Sequence, residues 1–153
     1  MAFTLSTGLK NLLLNNQGLK TALANGQIRI FNGVKPASAD DAESGALLCI
    51  ITLASGAMVS GTTTNGINLD VAADGSVDIP DGAIWSGKNL ANGSATWFRW
   101  YPNNFDLQMG AASGGDKVRL DGNCGTSGAD LQLSSTNLKI NVPTTIDAVN
   151  LYL

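Results

Sequence analysis

Hydrophobic residues recur along the chain with two different periods. In residues 1–25 the leucines are spaced three or four positions apart, which places them on one face of a helix. The leucines on this face are Leu9, Leu12, Leu13, Leu19 and Leu23. Ser6 or Thr7 can cap the helix at its start, and Asn25-Gly26 supplies residue types that end helices. The pattern therefore predicts a short N-terminal helical segment, interrupted at residues 17–18.

From residue 27 the hydrophobic period changes to two, which is typical of strands with one buried face. The run from Leu47 to Leu53 is apolar without alternation, and it predicts a strand buried on both faces. Further strands are predicted in residues 27–31, 67–71, 77–79, 95–101, 117–121, 130–133, 138–142 and 149–153. Arg119 and Asp121 take polar positions in one of these half-buried strands.

The spacing of these segments predicts the fold class. About eight or nine short strands, separated by turn residues and with no helical pattern after residue 25, are typical of an all-β fold. We expect an antiparallel β-sandwich or jelly roll with a short N-terminal helix. Residues 26–153 would form this single domain, and residues 1–25 would form a helical segment or arm. The helix could cover one end of its own domain, or it could dock on a neighbouring subunit through its leucines.

Composition and charge favour a surface that other subunits can cover. Charged residues make up only 14% of the chain and apolar residues 44%, with a formal net charge of −3. The nine Lys and Arg residues are scattered, so we expect no nucleic-acid partner. We also expect no membrane partner and no signal peptide, because no apolar stretch is long enough to span a bilayer and the N-terminus lacks a basic start.

The sequence offers little for catalysis. The chain has no histidine, the commonest general base and metal ligand at neutral pH. Asp40, Asp41 and Glu43 could share a calcium ion, but a solvated turn is the favoured interpretation, because the loop lacks the alternating oxygen ligands and central glycine of known sites. Cys49 lies in an apolar run and is expected to be a core thiol, with Cys124 also a free thiol. We predict no enzyme, no catalytic residue, no cofactor and no metal.

The aromatic residues allow two interpretations. Trp85, Trp97, Trp100 and Tyr101 could form an exposed contact surface for a sugar or a partner protein, because Trp and Tyr combine a large contact area with a polar tip. The favoured interpretation is that they fill the core.

Several segments resemble small proteins encoded in the structural gene blocks of tailed bacteriophages and prophages. The resemblance rests on Ile28-Arg29-Ile30-Phe31-Asn32-Gly33, on residues 36–40 and 45–48, and on the later stretches 95–101 and 118–135. These motifs are strands and turns, so they imply a family and carry no catalytic residue. The resemblance implies a component of the virion.

From these observations we expect a non-enzymatic virion protein, made in the host cytoplasm. The favoured role is a capsid decoration or cement protein that forms a homo-oligomer, preferably a trimer, and binds the major capsid protein. A protein of the tail, neck or baseplate is the alternative within the same class. A carbohydrate-binding module is the alternative from a different class.

The expected absence of a metal site and of a disulfide gives the first testable prediction. EDTA and thiol reductants should each leave the melting temperature essentially unchanged. A fall of more than about ten degrees with EDTA would reveal a cation site. The same fall with a reductant would reveal a bridge between Cys49 and Cys124, since one disulfide contributes roughly 2–4 kcal/mol.

Overall fold

A computed structural model describes residues 3–152, the last of them by its backbone only. The strands are β1 (Thr4–Leu5), β2 (Gln27–Phe31), β3 (Leu47–Leu53), β4 (Ser76–Val77), β5 (Trp85–Lys88), β6 (Gly93–Ser94), β7 (Trp97–Tyr101), β8 (Leu120–Gly125), β9 (Leu131–Leu133), β10 (Asn137–Leu138), β11 (Pro143–Val149) and β12 (Leu151–Tyr152). The helices are α1 (Thr7–Asn15), α2 (Leu19–Ala22) and a 3₁₀ turn at Phe105–Leu107. The predicted contribution of Leu153 lies outside the described residues. No helix within the described range is both long and apolar enough to cross a membrane.

The main sheet closes on itself like a barrel. Its strands follow the order β8-β7-β2-β3-β5-β11-β9, and β1 pairs with the first two residues of β8. The neighbours pair antiparallel, but β8 and β9 close the ring with a short parallel pairing at Cys124–Leu131 and Gly125–Gln132. The prediction of an all-β fold is confirmed. The finer prediction of a sandwich or jelly roll stays a prediction.

The interior of the barrel is filled by alternate residues of neighbouring strands. Ile28 and Ile30 of β2 lie opposite Trp100 and Phe98 of β7, and all four side chains are fully buried. The ring of Trp100 meets that of Trp85 edge to face, with 5.3 Å between the ring centroids. Because side chains alternate along a strand, the intervening residues of β2 and β7 point to the outer face of the sheet.

The N-terminal helices pack against their own barrel. Ser6 caps α1, because its Oγ accepts a hydrogen bond from the Leu9 amide at 3.2 Å. Leu9 and Leu23 belong to the main core, and the other three predicted leucines pack against that core while partly buried. Gly8 allows this close approach, since a Cβ there would lie 2.2 Å from the Lys117 carbonyl oxygen. The predicted helix and its Ser6 cap are confirmed, and α1 packs on its own barrel in the single chain.

The structure corrects the sequence analysis where turns interrupt an alternating pattern. The strand predicted at 138–142 is wrong, because Asn141 has a positive φ of 68° and the Val142 amide turns back to the Lys139 carbonyl. The strand Pro143–Val149 follows this turn and was missed. The turn at Asp74-Gly75 forms as expected, but only Ser76–Val77 is a regular strand there, and it pairs with β12.

The buried position of Leu9 leads to a prediction about stability. Leu9→Ala should lower the free energy of unfolding by about 2–5 kcal/mol, because it leaves a cavity in the core. Leu14 lies on the same helix and is 84% exposed, so Leu14→Ala is the matched control and should change stability by less than about 0.5 kcal/mol. Urea denaturation measures both variants. Equal effects would contradict the packing of α1 described above.

Candidate functional site

The outer face of strands β2, β7 and β8 carries a row of charged residues. In the strand register Arg29 lies opposite Arg99, and Arg99 lies opposite Asp121. Arg99 and Asp121 are completely buried although they point away from the barrel interior. They are covered because the chain segments 32–46 and 102–119 fold over this face, as the contacts below show. The prediction that Asp121 faces solvent is therefore wrong.

Arg99 and Asp121 form a two-pronged ion pair. The Arg99 Nε and Nη2 atoms donate to the two carboxylate oxygens of Asp121 at 2.6 and 2.7 Å. The guanidinium carbon also lies 5.5 Å from the ring centroid of Trp97, which itself stacks on Phe31 at 4.5 Å. Burial acts to lower the pKa of Arg99, but the hydrogen bonds and charge of Asp121 outweigh it and raise that pKa. The two short, parallel contacts have the geometry of a charge-assisted pair and hold both groups in one position.

Arg119 is a second buried arginine and was also wrongly predicted to face solvent. Its Nη1 and the Nη1 of Arg99 both donate to the Asp41 carbonyl oxygen, each at 2.8 Å. Its Nη2 donates to the carbonyl oxygen of Gly110. Burial, followed by the charge of Arg99, lowers the pKa of Arg119. Arg99 thus ties segment 32–46 to the sheet, and Arg119, which directly precedes β8, links that segment to Gly110 of the other covering segment.

The acidic residues of segment 32–46 take part in this arrangement. The Asp40 carboxylate accepts hydrogen bonds from the Thr7 amide at 2.9 Å and from the Thr7 hydroxyl, which lower the pKa of Asp40. Glu43 accepts a hydrogen bond from the Tyr101 hydroxyl. The segment is a turn-rich loop as expected, but these two carboxylates bind neighbouring side chains. Within residues 3–152 no group of three or more Cys, Asp or Glu residues could hold a metal ion.

The aromatic residues belong to the interior. Trp85, Trp97, Trp100 and Tyr101 each expose 1% of their surface or less, so the interpretation as core residues is confirmed. Trp85 and Trp100 lie inside the barrel, whereas Trp97 and Tyr101 lie beneath the loops of the outer face. As they stand, these rings offer no contact surface to a sugar or to a partner protein.

Both cysteines are free thiols, as predicted. Cys49 is fully buried in β3, and burial raises its pKa to about 12. Burial also raises the pKa of Cys124. Both are therefore protonated and unreactive at neutral pH, because the thiolate is the nucleophile.

Two open grooves lie on the surface formed by the described residues. The first, at the helical end, is apolar and has a volume of about 370 Å³. Its walls include Phe3, Leu19, Lys20, Ala72, Val77 and Leu151. An adjoining hollow of about 260 Å³ shares Phe3 and Leu19 and adds Leu13. Of the leucines predicted as an assembly interface, Leu13 and Leu19 line this surface, while Leu9 and Leu23 are too deeply buried to reach a partner.

The second groove lies outside β2, β3 and β5 and also has a volume of about 370 Å³. Its walls include Gln27, Arg29, Thr52, Met58, Lys88 and Phe105. The sequence analysis did not single out these residues, because Arg29 and Lys88 are separated along the chain and follow no known motif.

Comparisons of the chain with protein-family models, with curated proteins and with solved structures found no match.

The ion pair between Arg99 and Asp121 leads to a second prediction about stability. Asp121→Ala leaves the Arg99 guanidinium buried without its partner and should cost about 3–5 kcal/mol of unfolding free energy. Asp147 is exposed on β11, so Asp147→Ala is the matched control and should have little effect. Urea denaturation followed by tryptophan fluorescence measures both. An Asp121→Ala variant as stable as the control would contradict the importance assigned to the pair.

Proposed function

We propose that the protein is a non-enzymatic structural component of a tailed-bacteriophage virion, a decoration or cement protein that sits on the outside of the head. The observation that carries this proposal is the open apolar groove at the helical end. Apolar grooves on a soluble surface mark sites of association, because covering them removes apolar area from water. The resemblance of the strand and turn segments to phage structural proteins supplies the biological setting.

The occupant that we propose for this groove is a second copy of the chain. The low proportion of charged residues keeps repulsion between copies small, since the formal net charge is only −3. Among the described residues of the groove wall, Lys20 is the one with a charged side chain, and it can turn its ammonium group to solvent while its stem covers apolar surface. We favour a trimer, which then contacts the major capsid protein.

The loops that are held over the outer face of the sheet support the same role. A cement protein has to resist deformation, and the loops over strands β2, β7 and β8 are tied to the sheet by buried charged groups. The finer description of the fold as a jelly roll belongs to this proposal too, because that arrangement would present two broad faces to neighbouring subunits.

Sedimentation at micromolar concentration tests the proposal. The protein should behave as a small oligomer, and Ala72→Arg should shift it towards the monomer because it places a charged side chain in the groove from an exposed position. Ala111→Arg is the matched control, since Ala111 is equally exposed and lies outside the groove. A monomeric wild-type protein, or an equal effect of both variants, would argue against assembly through this groove.

Imaging of the intact phage particle separates the two positions in the virion. Density of the barrel on the outer capsid surface would support the decoration role. Density at the neck, tail or baseplate would instead support the alternative of a tail-associated protein.

A further inference from the structure

The second groove has the chemistry of an anion site. Arg29 and Lys88 line it together with polar and apolar residues, and no acidic side chain lines it. This is a local excess of positive charge on a chain whose formal net charge is −3. The groove shares no lining residue with the apolar groove at the helical end.

Arg29 is held in place before any ligand arrives. Its Nε donates to the Gln27 Oε1 atom at 3.0 Å. Its guanidinium carbon lies 5.9 Å from the ring centroids of both Tyr101 and Phe105. These contacts engage Nε and the guanidinium carbon, and the two terminal nitrogens make no hydrogen bond to any described residue. The planar guanidinium of Arg29 is therefore held in one orientation, and its terminal nitrogens can donate hydrogen bonds to a ligand.

The acid in the same row of the sheet, Asp121, is already paired. Arg29 lies beside Arg99 in the strand register, but both carboxylate oxygens of Asp121 are bonded to Arg99. Among the described residues the pair of Arg99 and Asp121 is the only salt bridge. Arg29 thus forms no salt bridge with any residue that the structure describes.

We propose that this groove binds a carboxylate carried on a small apolar body. The terminal nitrogens of Arg29 match the two oxygens of a carboxylate in a planar, two-pronged contact. Lys88 adds a second positive charge at the wall, and Met58, Leu90 and Phe105 provide apolar surface for the rest of the ligand. The hydroxyl of Thr52 donates to the Gly56 carbonyl oxygen, so it is not a free donor for a more highly charged anion such as phosphate.

Titration followed by ¹H–¹⁵N NMR tests the proposal, with benzoate as the probe. Benzoate should shift the Arg29 Nε–H signal and the backbone signals of the groove in a saturable manner. Benzamide has the same ring without the charge and should bind at least about tenfold more weakly. Inorganic phosphate should also bind more weakly than benzoate. Equal binding of benzoate and benzamide, tighter binding of phosphate, or no saturable shift would overturn the proposal.

Substitutions locate the site. Arg29→Met should weaken benzoate binding at least about tenfold, and Lys88→Met should weaken it by less. Lys10 is exposed on α1 and does not line the groove, so Lys10→Met is the matched control and should bind like the wild type. If the spectrum of Arg29→Met shows loss of the fold, Arg29→Lys replaces it, because lysine keeps the charge and removes the planar fork. Unchanged affinity in the folded arginine variant would overturn the proposal.

Discussion

The outer face of the barrel depends on the ion pair between Arg99 and Asp121. Neither group could remain buried alone, because a single charge without a partner in the interior costs several kcal/mol. Their two-pronged contact makes burial possible, and the remaining Arg99 nitrogen then binds the Asp41 carbonyl together with Arg119. The covering loops are consequently fixed to the sheet, and the ring of Trp97 is enclosed beside Arg99.

The same row of residues explains why one part of this face stays open. Asp121 balances one arginine, and its two oxygens are used by Arg99. Arg29, one strand further along, is supported by Gln27 and by two aromatic rings but pairs with no acid among the described residues. A buried region in which Arg99 and Asp121 are paired therefore adjoins a groove in which the terminal nitrogens of Arg29 can still donate hydrogen bonds. Arg99, which stabilises the fold, and Arg29, which we propose to bind a ligand, lie on adjacent strands.

The helices at one end of the barrel contribute both to the core and to an apolar surface groove. Leu9 and Leu23 complete the barrel core, so the helices are part of the folded domain in this structure. The apolar side chains that remain at their edge, with Val77 and Leu151, line a groove that the other described residues leave uncovered. A stable core beside an exposed apolar groove is compatible with a subunit of an assembly, because a second subunit would cover the groove.

The sequence by itself determined the elements whose signals are local. The Ser6 cap, the helix face through Leu9 and the strand Leu47–Leu53 follow from hydrogen bonding and hydrophobic periodicity within a few residues. The burial of Arg119 and Asp121 was decided by tertiary structure, because alternation shows that they share one face of a strand but not that distant loops cover that face. Tertiary structure also decided the parallel closure of β8 on β9 and the turn at Asn141, where Ile140 and Val142 continue an alternating pattern outside any strand. Periodicity records how side chains alternate, whereas long-range contacts decide which of the two faces meets water.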